Sequence, residues 1–131
     1  MGGFTQLTEE LVYQEIPRMT AREIEAALGG DDVDTACDAI LSAALYFDDW
    51  RVSQRICLKA LALANDVLKR CGIIGLGHIV RIHGRIDVAV VSMELQKFSR
   101  NEFLLGYIEN LQSDINIFYR RPRDDADGLR L

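Results

Sequence analysis

The residues able to do chemistry are the aspartate pairs at 31–32 and 48–49, two histidines, three cysteines and a cluster of glycines. Asp31-Asp32 and Asp48-Asp49 could divide into a general acid and a general base. Each pair, however, stands just before an apolar periodic run. A carboxylate there caps the free amides of a helix, which accounts for both pairs without catalysis. His78 and His83 are five residues apart, whereas two metal ligands on one helical face need a spacing of four. Cys37, Cys57 and Cys71 are twenty and fourteen residues apart, unlike the short pairs of a structural zinc site. Gly72, Gly75 and Gly77 contain G-x-G, but Val80 stands where a dinucleotide fingerprint needs its last glycine, and there is no phosphate-binding G-x-x-x-x-G-K-[ST]. The serines at 42, 53, 92, 99 and 113 lack the glycines of a nucleophile elbow. The sequence therefore predicts no catalytic residue, no metal ligand and no cofactor, and so a protein that is not an enzyme.

What remains is recognition. The net charge of −5 conceals a strong asymmetry. Residues 1–50 hold eleven acids and two bases, residues 51–100 nine bases and three acids, and residues 101–131 six acids and four bases. An acidic half attracts a basic partner over long range and repels nucleic acid. The bases of the middle segment would bind nucleic acid only if they shared one face. Arg51, Arg55 and Lys59, four apart, do form a basic ridge. The expected partner-binding residues are Asp31, Asp32, Asp34, Asp48, Asp49 and Trp50. Trp50 follows two acids at a turn. Its ring either folds over a helix junction or anchors an interface, where tryptophan is enriched.

The elements that must position these residues read as helices. Residues Asn65 to Gly84 form the centre: Val67, Cys71, Ile74, His78 and Ile82 recur at helical spacing, with Leu68, Gly75 and Ile79 on an adjoining row. That face is too wide for a helix with one neighbour. Three glycines inside a helix each cost about 1 kcal/mol relative to alanine, which close approach of other helices would justify. Asp66 is the expected cap and Gly84 the expected left-handed stop. His78 reads as a packed core histidine, and His83 as a cation near the carbonyl end of the dipole.

The flanking elements follow the same signals. Thr8 could cap a short helix to Ile16, ended by Pro17. Thr20-Ala-Arg-Glu23 is a capping box, and Gly29-Gly30 stops its helix. Asp31 or Asp32 caps a helix that buries Ala36, Ile40, Ala43, Ala44 and Phe47. Asp49 caps one that buries Val52, Ile56, Ala60 and Leu63. Asp87 caps Val88–Phe98, where Val88-Ala-Val-Val91 favours a strand locally, but a lone strand would leave its backbone unpaired. Ser99-Arg-Asn-Glu102 is a second capping box, ahead of Leu104, Ile108, Leu111, Ile115 and Phe118. Starts near 32, 49, 66, 87 and 101 joined by short turns require antiparallel neighbours. One helical domain over 1–119 is expected, of about six or seven helices, with a disordered tail over 120–131. The opening MGGFTQLTEE lacks a secretory pattern, and Gln6 departs from a myristoylation motif. With no apolar run of about 20 residues, no membrane span is expected, and odd-numbered, helix-interior cysteines fit a reducing cytoplasm.

Asp66-Val67-x-x-Arg70-Cys71-x-x-x-Gly75-Leu76-Gly77-His78 resembles a HEAT-like repeat, with Arg70 three residues after Val67 rather than next to it. The resemblance covers about residues 32–118. It implies a short α-solenoid of antiparallel helix pairs that binds another protein. Small bacterial proteins of this type include helical immunity proteins of contact-dependent and polymorphic toxin systems, similar in size and acidity. Taken with the acidity of residues 1–50, the expected function is an immunity protein that blocks a basic toxin, such as a nuclease, by filling its cleft with acids from residues 31–49. A protein-binding adaptor with no toxin is the alternative. The oligomeric state is left open.

Overall fold

The computed structural model describes residues 16–121, and among them every regular element is a helix. They are α1 (Ala21–Leu28), α2 (Val33–Tyr46), α3 (Trp50–Leu61), α4 (Asp66–His83), α5 (Val88–Gln96) and α6 (Glu102–Phe118). The helix expected from Thr8, and the tail from residue 122 onward, lie outside the described residues.

Each start is fixed by a side chain that satisfies the first free amides. Thr20 and Glu23 form the capping box reciprocally, at 3.1 and 2.8 Å. Asp32, not Asp31, caps α2, Asp49 caps α3 and Asp87 caps α5. Two expected caps are corrected by one residue or two. Asn65 caps α4, its Oδ1 accepting from the amides of Val67 and Leu68. Asp66 is instead the first helical residue, where its charge still complements the dipole. Asn101, not Ser99, caps α6 through the Leu104 amide. In both cases the deciding residue is the one with extended backbone immediately before the helix. The strand-prone run at 88–91 is helical, and α5 ends at Gln96, short of the expected Phe98.

Short turns make successive helices antiparallel, so α2, α4 and α6 run in one direction and α1, α3 and α5 in the other. This gives a solenoid-like stack of helix pairs. α4 sits at its middle and packs on α2, α3 and α6. Gly72 and Gly75 make that possible. A Cβ on Gly72 would lie 2.7 Å from the Cys57 carbonyl oxygen, and one on Gly75 would lie 2.6 Å from Cys57 Sγ. The main core runs from Ala36 and Ile40 through Leu61, Leu76 and Ile79 to Leu104 and Leu111. A smaller cluster of Ile24, Ala39, Ala43 and Ile56 seats α1 on α2 and α3.

Both ends of the stack are tied down by polar contacts. The buried Ser42 hydroxyl accepts from the Met19 amide at 2.9 Å, and Tyr46 donates to the Ile16 carbonyl at 3.0 Å. Gly84 ends α4 at φ 70°, as a left-handed cap. Its carbonyl accepts from the Arg120 amide at 2.7 Å. Arg120, expected to begin a loose tail, is thus fixed to the α4 terminus. Among the described residues no helix is long and apolar enough to cross a membrane.

Candidate protein-binding surface

The acids expected to bind a partner fall into two groups. Asp31, Asp32 and Asp34 gather at the N-terminal end of α2, all exposed. Asp32 Oδ2 accepts from the Thr35 hydroxyl at 2.9 Å. That bond, with the amides of Thr35 and Asp34, holds its carboxyl below the usual value. Asp38, one turn on, is pushed up by partial loss of hydration and by the charges of Asp34 and Asp32. Asp48 and Asp49 lie beyond the other end of this helix. With 14 residues in α2, the groups are about 20 Å apart. They do not form one patch. The Asp49 carboxylate is already engaged by the Arg51 amide at 3.0 Å. Trp50 is half-buried, packs on the main core and carries the Arg51 guanidinium 4.7 Å from its ring centre. It covers the α2–α3 junction.

The residues not anticipated lie where α4 and α6 run side by side. Arg70 projects from the first half of α4, half-buried. Its guanidinium sits 5.6 Å from the Phe103 ring centre and 5.8 Å from that of Tyr107. The two rings lie one helical turn apart on α6, tilted, with centres 6.1 Å apart. Cation–π contacts of this kind fix a guanidinium without consuming its N–H donors. Among the described residues no carboxylate lies within ion-pair distance of Arg70.

Further along the same two helices, Arg81 pairs with Asp114 and its other terminal nitrogen lies 2.8 Å from His78 Nδ1. Burial, then the Arg81 charge, pushes His78 down to about 4, so it is neutral near pH 7. His78 is 6 % exposed, a core histidine as its spacing implied. Beside the Arg81–Asp114 pair lies an open groove of about 220 Å³, lined also by Ile73, Ile74, Asn110 and Leu111 and reaching Tyr107. Gly77 lies in its floor, where a Cβ would come within 3.0 Å of Asp114 Oδ2. The sequence held one signal for this surface: Phe103 and Tyr107 at i, i+4, with Tyr107 beside the buried row of Leu104, Ile108 and Leu111.

Cys37 and Cys71 meet between α2 and α4, where burial, then the neighbouring Cys37, raises the Cys71 thiol. Cys57 is fully buried and pushed up to about 12. All three are free thiols. Among the described residues no three His, Cys, Asp or Glu side chains converge as a metal site would require. The arrangement places fixed charges, rings and a groove along α4 and α6.

The fold places the chain among solenoid-like stacks of antiparallel helices. It is similar to a chain in the crystal structure of a CDI complex from Cupriavidus taiwanensis LMG 19424. The likeness has a TM-score of 0.69 at 25 % identity, over 78 % of this chain and 90 % of that one. No family model matches the sequence, and no curated protein matches it.

Proposed function

We propose that this chain is the immunity member of a contact-dependent growth inhibition pair, which binds a cognate toxin domain and occludes its active cleft. The observation that carries this reading is its likeness to a chain from a CDI complex over nine-tenths of that chain. The physical character of the molecule agrees with it. An inhibitor that works by occlusion needs a rigid platform and a recognition surface, and no chemistry of its own. A stack whose central helix packs on three neighbours is such a platform. The toxin expected is basic, and a nuclease is the class whose phosphate-binding cleft carboxylates would best block. The acids at the start of α2 then serve attraction and register.

The test is co-expression with the toxin domain encoded beside this gene. Growth should be rescued, and the two proteins should co-purify at low salt and separate partly as salt rises, because exposed charges are screened. Growth arrest despite full expression of this chain, with no complex recovered at low salt, would refute the reading. A toxin partner that is acidic rather than basic would remove the nuclease assignment alone.

A further inference from the structure

The surface beside Arg70 calls for a counterpart that the acids do not supply. A basic toxin meeting only carboxylates would leave this guanidinium facing like charge. Yet Arg70 is held by two rings, half-buried, with no ion pair among the described residues. A guanidinium held in this way presents a planar set of donors suited to a carboxylate. Its rotamer freedom is already restricted, so less entropy is lost on binding.

We propose that the α4–α6 face centred on Arg70, Phe103 and Tyr107 is the anchoring surface for the toxin. It takes a carboxylate carried on an apolar segment of that partner. The inference rests on the immunity reading and names the surface through which it would act. Tyr107, the ring nearest Arg70 on the Arg81 side, also borders an open groove with Ile73, Ile74 and Leu111 in its floor. Arg81 and Asp114 line it too, and they pair with each other. Arg70 and Arg81 are eleven residues apart on one helix, about 16 Å along its axis. That length fits about five extended residues. The partner's carboxylate would sit at the Arg70 end and apolar side chains over the floor. Arginine, tyrosine and a desolvated centre are the composition of interface hot spots. The exposed acids at the start of α2 are rim contacts, where pairs are weaker.

The experiment measures affinity for the toxin domain encoded by the adjacent gene, using wild type, Arg70→Ala, Arg70→Lys, Tyr107→Ala and, as a control on the outer helix, Arg55→Ala. Helical dichroism and Tm confirm that each variant is folded. Arg70→Ala and Tyr107→Ala should each weaken binding by about 30-fold or more, the usual mark of a hot spot. Arg70→Lys keeps the charge but not the planar fork, and should recover only part of the loss. Arg55→Ala should bind within about 3-fold of wild type. If wild type binds and both Arg70→Ala and Tyr107→Ala stay within about 3-fold of it, the surface is wrong and the immunity reading stands. If Arg55→Ala alone weakens binding, the outer ridge is the interface and this proposal is overturned. Wild type that binds no toxin overturns both.

Discussion

The approach of α3 to α4 can be tested by adding a single methyl group. In Gly72→Ala the new Cβ would lie 2.7 Å from the Cys57 carbonyl oxygen and 3.1 Å from Ala60 Cβ. The first neighbour is backbone and cannot rotate away, so one helix must shift. Against this stands the helical preference of alanine, about 1 kcal/mol over glycine. Overpacking of this kind costs about 1–3 kcal/mol, or more where backbone must move. The difference between these opposing terms is a loss of about 0–2 kcal/mol, and because backbone must move, the upper end of about 2 kcal/mol is expected. Gly106→Ala supplies the internal control. Gly106 is exposed within α6, with nothing within 4 Å of its added Cβ, so only the propensity gain remains. That variant should gain up to about 1 kcal/mol. Urea unfolding followed by dichroism at 222 nm reads both changes, and their opposite signs make the comparison insensitive to baseline error. For a chain of this size 1 kcal/mol moves Tm by about 3–5 °C. Gly72→Ala as stable as wild type, or Gly106→Ala destabilised, would refute the argument that close helix approach is what places glycine in α4.

Four further outcomes follow from the same geometry. His78 has its protonation suppressed to about 4 in the folded protein, against an ordinary value of 6.5. Below 6.5 the unfolded chain binds the extra proton first, so stability should fall as pH drops from about 6.5 to 4, by about 3 kcal/mol at most; urea titrations across that range should flatten in His78→Gln. Asp49→Ala removes the α3 cap and should cost about 1 kcal/mol, whereas Asp31→Asn, which caps nothing, should stay within about 0.5 kcal/mol by the same assay. Gly84→Ala forces a side chain into left-handed backbone and against the Arg120 guanidinium, and should lower Tm measurably in a thermal melt. Cys57 should resist iodoacetamide in the native protein at pH 8, because burial holds it as a thiol up to about 12; it should be labelled only after denaturation, as mass spectrometry would show.

The fold was legible because its signals are local. Thr20, Asp32, Asp49 and Asp87 each precede a run of helical period, and a cap needs only neighbours two or three residues away. The exceptions were also local. Asn65 stands beside Asp66, and Asn101 two residues after Ser99. Every one of these side chains can accept a free amide, and the choice depends on which backbone turns extended. The wide apolar face of residues 66–82 correctly implied several neighbours, since periodicity reports how much of a helix is covered. The surface proposed around Arg70 was not legible in the same way. Arg70 and Tyr107 are 37 positions apart and meet only because α4 and α6 run parallel. A count of charge by segment put the weight on Asp31, Asp32, Asp34, Asp48 and Asp49. It could not show that α2 separates these into two groups.

The separation of the acids alters what they can contribute to binding. A standard interface covers about 800 Å² on each partner, a patch about 30 Å across. Two groups about 20 Å apart cannot both lie at its centre, and at least one falls toward a margin. Exposed charges at a margin act mainly on the rate of encounter and are screened by salt. A centre of rings and a fixed guanidinium acts on the rate of escape. On the proposed surface, then, neutralising Asp31, Asp32 and Asp34 would slow association and flatten its salt dependence with little change in dissociation. Replacing Arg70 would do the reverse. The two classes of side chain therefore answer separate questions about the same complex: how quickly the partner arrives, and how long it stays.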